Sequence, residues 1–189
     1  MKTKLMMAAL FVAACFTMMS CGGGKKQAQN AEETAMSIDE VLEKAADLVE
    51  QTVVIEGVCT HTCRHGAKKM FLVGSDDSKT LRIESGELGA FDTKVVNNVV
   101  TVKGILKEER IDEAYLQDWE ARVKAQTEEK HGNGEGGCDT EKNARGETAN
   151  TTEDRIADFR AKIAAEKEAT GKEYLAFYHV VANSYEINE

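Results

Sequence analysis

This chain of 189 residues contains no proline. Without that ring, no helix is interrupted by a missing N–H and no loop is stiffened by a fixed φ. Positive charge is also scarce: 24 Lys and Arg stand against 33 Asp and Glu, for a formal net charge of −9. Such a chain is a poor general partner for nucleic acid, because neutralising phosphates takes a basic surface. A second long apolar run is missing, since nothing after residue 21 approaches the roughly 20 apolar residues that span a bilayer. The two-residue redox motif is missing as well. Cys59 and Cys63 are spaced Cys-x-x-x-Cys, which gives thiol oxidoreductase chemistry little support. No nucleophile with its base, no phosphate-cradling glycine loop and no paired carboxylates stand out, so the sequence indicates no reaction class.

What is present begins at the N-terminus. Lys2 and Lys4 precede an uncharged apolar run from Leu5 to Met19, closed by Ser20 and Cys21. The run is too short to span comfortably and has the layout of a secretory signal. Leu10 to Cys21 resembles the lipobox region of bacterial lipoproteins, with methionines where leucine is usual. The resemblance implies removal of residues 1–20 and lipidation of Cys21. Gly22 rather than aspartate follows that cysteine, which by the lipoprotein sorting rule implies the outer membrane. The absence of an acidic cluster beside the cysteine favours the periplasmic face. Residues 21–36 then read as a flexible tether, since three glycines and a run of polar residues cannot build a core.

Residues 37–189 read as one domain. Ser37, with Glu40 three residues on, is a capping box. Ile38, Val41, Leu42, Ala45, Leu48 and Val49 recur at helical spacing, predicting a helix to about Gln51. Thr52 to Glu109 reads as four strands: 53–63, 70–73, 81–83 and 99–106. The first and fourth share a pattern, Val53-x-Ile55-x-Gly57-Val58 and Val100-x-Val102-x-Gly104-Ile105. Glycine inside a strand marks a bulge, a bend or a close backbone approach. A fifth strand starts at Tyr174. Between strands four and five, residues 111–172 predict a helical hairpin. Its first helix runs from Asp112 to Lys130, with Tyr115, Trp119 and Val123 as its apolar row. Its second is capped by Asn150 or Thr151, carries Ile156, Phe159 and Ile163, and stops at Gly171. Trp119 and Phe159 are expected to lock the hairpin. His131 to Ala149 shows no periodicity and reads as a mobile tip.

Twin glycine bends in one small sheet resemble the OB-fold, a five-stranded Greek-key barrel. The expected fold is therefore α+β: an OB-like antiparallel barrel with an N-terminal helix and a helical hairpin between strands four and five. With its signal, the chain resembles small OB-fold lipoproteins of the Bacteroidetes type. That resemblance implies a cell-envelope binding module, with a small ligand or an envelope protein as partner, and carries no catalytic residues.

Two sets of side chains are candidate sites. Cys59, His61, Cys63 and His65 fall at every second position, so on an extended chain all four point to one side. Thiolate and imidazole suit zinc and copper, and the alternative reading is a periplasmic metal-binding protein. Cys59 and His65 would be roughly 20 Å apart at about 3.3 Å per residue, so one ion cannot reach both. Neighbouring pairs would need help from His179, His131 or Cys138. Cys59 and Cys63, about 13 Å apart on a regular strand, are too far for a disulfide, which needs Cα atoms within about 7 Å. Cys138 is the better partner for either. The bland alternative makes the cysteines small core residues in line with Val53 and Ile55. The second set is basic: Arg64, Lys68, Lys69 and Arg82, with Lys79 nearby. It would greet an anionic ligand at the barrel face, or else form the solvated edge of a hairpin. Tyr174, Phe177, Tyr178 and Tyr185 lie along the last strand, where alternate positions face inward, and some of them read as core rather than as a stacking platform.

Overall fold

The structure, a computed structural model, describes residues 34–64, 66–128, 139–149 and 151–188. The signal, Cys21, most of the tether, His65, His131, Cys138 and Asn150 lie outside the described residues. Among those that are described, no helix is long and apolar enough to cross a membrane.

The chain enters through β1 (Met36–Ser37), α1 (Ile38–Glu43) and α2 (Ala45–Leu48). The capping box is complete. Glu40 N–H donates to Ser37 Oγ, and Ser37 N–H donates to Glu40 Oε2 at 2.9 Å. The one helix expected to Gln51 is thus two short pieces, interrupted at Lys44. Glu50 turns the chain out with φ 64° while its N–H bonds Leu106 O at 2.8 Å.

Five strands then close a barrel: β2 (Thr52–Thr62), β3 (Lys69–Val73), β4 (Thr80–Glu84), β5 (Val99–Asp112) and β6 (Tyr174–Asn188). Around the barrel the order is β2, β3, β4, β6, β5 and back to β2. The look-alike segments are each other's partners. Val53 faces Gly104, Ile55 faces Val102 and Gly57 faces Val100 in one antiparallel ladder. Each glycine makes room for a neighbour. A Cβ on Gly104 would sit 2.3 Å from Val181 O, and one on Gly57 would sit 2.8 Å from Ile38 Cγ1. Opposite Gly104 the ladder skips from Ser184 to Ala182, so β6 bulges there.

The barrel is mixed, which corrects the antiparallel expectation. β6 runs parallel to β4, with Arg82 opposite His179 and Glu84 opposite Val181. A tight hairpin can join only antiparallel neighbours, whereas a long crossover can deliver a strand in either sense. The helical insertion before β6 is such a crossover.

That insertion holds α3 (Glu113–Glu128), α4 (Asp139–Ala144) and α5 (Thr152–Thr170). Thr151 caps α5 by accepting from Asp154 N–H at 3.1 Å, and Gly171 ends it with φ 80°. α4 is a helix where the sequence predicts only a mobile tip.

Two apolar cores result. The barrel interior holds Val53, Ile55, Cys59, Met70, Leu72, Leu81, Ile83, Val100, Val102, Leu106 and Val180, with α1 closing one end through Ile38 and Val41. β5 runs six residues past its expected end at Leu106, pairing with β6 out to Asp112 and Tyr174. Ile111, Leu175 and Phe177 on this extension pack with Leu116, Trp119, Ile156 and Phe159 as a second core. The Trp119 and Phe159 rings sit 6.2 Å apart, and Phe177 meets Phe159 edge-on at 6.1 Å. Tyr185 meets Phe91 edge-on at 5.3 Å, and its hydroxyl accepts from Asp92 N–H at 3.0 Å.

Candidate functional site

The four-residue ladder does not form a single face. On β2, Cys59 pairs with Leu72 and His61 with Phe71, so Thr60 is an extra residue, a β-bulge. One extra residue reverses the side-chain parity of everything that follows. Cys59 points into the barrel with Ile55 and Leu72 and is fully buried. Its Sγ donates to His61 O at 3.5 Å, and burial pushes its thiol pKa up, against the pull of neighbouring backbone bonds. His61 points outward, its ring 5.9 Å from that of Phe71. Cys63 is half-buried, and both Cys59 and Cys63 carry free thiols. Among the described residues no group of three His, Cys, Asp or Glu is placed to hold a metal.

The outward face of the sheet carries the denser chemistry. His61, Phe71, Arg82, His179 and Lys107 form one row across β2, β3, β4, β6 and β5, each opposite the next. Arg82 lies mid-row with 11% of its side chain exposed. Its Nη2 donates to Glu109 Oε2 at 2.7 Å and its Nη1 to Glu141 Oε1 at 2.6 Å. Lys69 Nζ reaches both oxygens of Glu141 at 3.1 Å. Arg145 Nη2 donates to Glu109 Oε2 at 2.7 Å and lies 3.5 Å from Glu141. Glu84 sits 3.4 Å from Arg82 Nε and 3.9 Å from His179 Nε2.

Glu141 and Arg145 come from α4 and the turn after it, laid across the barrel strands. Arg155 Nε donates to Glu147 Oε2 at 2.5 Å nearby, and the same guanidinium stacks 4.7 Å from the Trp119 ring centroid. The result is a cleft of about 400 Å³ between sheet and helices. Six basic side chains line it (Lys69, Arg82, Arg122, Lys142, Arg145, Arg155) against four acidic ones (Glu84, Glu109, Glu141, Glu147). An acidic protein thus holds a locally cationic recess.

The electrostatics follow from burial set against pairing. Burial alone would raise the carboxyls of Glu109 and Glu141. For Glu109 the Arg145 and Arg82 guanidiniums outweigh it; for Glu141, Lys69, Arg82 and Arg145 do. Both carboxyls are held below their usual range. Arg82 is likewise opposed by burial but held charged by Glu109, Glu141 and Glu84. His179 moves down: burial and the Arg82 charge outweigh Glu84 and Glu109. Three buried nitrogens on this face, His61 Nε2, Arg82 Nε and His179 Nδ1, have no hydrogen-bond partner among the described residues.

Of the basic residues singled out from the sequence, Lys69 and Arg82 meet in the cleft. Arg64 and Lys68 are exposed in the β2–β3 turn, and Lys79 pairs instead with Asp39 of α1 at 2.5 Å. Arg82 is no solvated hairpin edge. Sequence reasoning missed Glu109, Arg145, Glu147 and Arg155, and did not place Glu141 at this face. The available signal was the alternation Lys107-x-Glu109-x-Ile111 and the Glu141/Arg145 spacing of four.

The chain matches no protein-family profile and no curated protein. Among solved structures it is similar to a protein described as an aspartyl-tRNA synthetase from Leishmania major Friedlin. The identity is 18%, the TM-score 0.30, and the match covers 45% of this chain and 18% of that one, a likeness too slight to carry fold or function.

Proposed function

We propose that this protein is a lipid-anchored binding module of the cell envelope, built on an OB-like barrel, that holds a ligand or partner in the charged cleft beneath its helical insertion. The reading joins two supports. The N-terminal sequence through Cys21 has the form of a lipoprotein signal. The barrel order, with β6 between β4 and β5 and parallel to β4, is the closure expected of an OB-like barrel. In that fold the connection before the last strand flanks the ligand face, and here it is expanded into a roof. One observation carries the reading: the cleft is lined from both sides, by barrel strands and by α4, with side chains of both charges already oriented. Such pre-organisation suits recognition.

Two experiments test it. Metabolic labelling with a fatty-acid analogue should mark the full chain and fail on Cys21→Ser; an unlabelled wild type refutes the anchor. A photoreactive side chain at Lys142, in the cleft, should give a discrete crosslink in intact cells. The same group at exposed Val58 should give none. Equal patterns from the two positions refute the cleft as the binding site.

A further inference from the structure

Resting on the cleft reading above, we infer that the cleft takes a ligand bearing a single carboxylate, and that Glu141 occupies that carboxylate's place in the unliganded protein. Glu141 behaves as a bound ligand would. Its two oxygens accept three hydrogen bonds, from Lys69 Nζ twice and from Arg82 Nη1, at 2.6 to 3.1 Å. The two donors sit on β3 and β4, fixed in a closed barrel. The acceptor sits on α4, a helix of six residues. So short a helix has little stability of its own, so the ion pairs that Glu141 and Arg145 make with the barrel face hold it in place. The donor side is rigid, and the Glu141 side chain is the part able to swing away while Arg145 stays bonded to Glu109.

The charges point to a carboxylate rather than to phosphate. With Glu141 gone, Lys69, Arg82 and Arg145 still face Glu109 and Glu84, an excess of one positive charge within reach. One carboxylate restores the balance of this ion-pair network, whereas a phosphate dianion would bring its second charge against the two fixed carboxylates. Arg82 Nε, buried, faces Glu84 at 3.4 Å without a hydrogen bond, and offers such a ligand a bond that Glu141 does not make. Lys142 and Arg122 at the lining add the positive potential that draws an anion in.

The single tryptophan, Trp119, lines the same cleft, so one indole N–H resonance reports on it. The probes are N-acetyl-alanine and glucuronate, each with one carboxylate, which separate a peptide-like from a sugar-like ligand, with inorganic phosphate as control. They are titrated into the full chain in detergent. Wild type should shift weakly with one of the carboxylates. Glu141→Gln, which empties the charge but keeps the shape, should bind the same probe at least about tenfold more tightly, equivalent to about 1.4 kcal/mol. Glu141→Asp, which keeps the charge on a shorter arm, should fall between and serves alone if the Gln variant does not fold. Lys69→Gln added to Glu141→Gln should abolish the gain. Equal affinity in wild type and both Glu141 variants, no shift in any of them, or phosphate binding as well as the carboxylates would each overturn the inference. The Lys142 crosslink decides the cleft reading separately, since it does not depend on which group of a ligand is recognised.

Discussion

The two faces of β3 and β4 differ more than any other neighbouring surfaces in this molecule. Inward, Met70, Leu72, Leu81 and Ile83 are fully buried against other hydrocarbon. Outward, on the same strands, Lys69, Arg82 and Glu84 stand in a network of charges. The inner face is held by burial, which is non-directional and is not screened by salt. The outer face is held by directional pairs whose gain is largely offset by desolvation. One side of each strand therefore carries stability, and the other carries an arrangement that a solute can compete with.

The comparison breaks most visibly under core truncation. Leu81→Ala should cost about 2–5 kcal/mol, read as a drop in urea midpoint; a loss under 1 kcal/mol would mean the interior is looser than its burial implies. On the opposite face, Glu141→Gln should cost only about 1 kcal/mol, and that cost should shrink in high salt. If it matches Leu81→Ala, the charged face is structural and no longer free to exchange partners.

Acid sharpens the contrast. Glu109 and Glu141 are held below their ordinary carboxyl value, so they contribute stability above that value and lose it as pH falls through their depressed ones. His179 is also lowered from its ordinary 6.5. The unfolded chain then takes up that proton first, and stability falls as pH drops below about 6.5. Both effects have the same sign: the urea midpoint should fall steadily from pH 7 to pH 4. Leu81→Ala should leave this slope unchanged and Glu141→Gln should flatten it.

The smallest effect concerns the two thiols. Alkylation followed by peptide mapping should label half-buried Cys63 in the folded protein and Cys59 only after unfolding. Labelling of Cys59 at native pH would contradict its inward placement.

The parts of this molecule legible in the sequence are those written in local pattern. The twin Val-x-Ile/Val-x-Gly segments announced a strand pair, and the apolar rows at Trp119 and Phe159 announced a packed helix pair. Ser37, Thr151 and Gly171 marked helix ends by their own chemistry. The candidate site was legible only in Lys69 and Arg82. The bulge at Thr60 has no residue signature, since any side chain can be the extra one, and it alone separates Cys59 from His61. α4 has no apolar period because charges, not hydrocarbon, hold it down. The extension of β5 past Leu106 was hidden because its strand alternates charged residues instead of apolar ones, and pairing with a distant β6 is what keeps it extended.

That extension has a mechanical consequence. β5 and β6 run side by side for 14 and 15 residues, serving as barrel wall at one end and as floor for the helices at the other. Both hydrophobic nuclei draw residues from that shared double plank, so neither should survive once it parts. Heat should therefore dissolve both in one cooperative transition, and a stapling crosslink between the two strands would toughen helices and barrel together.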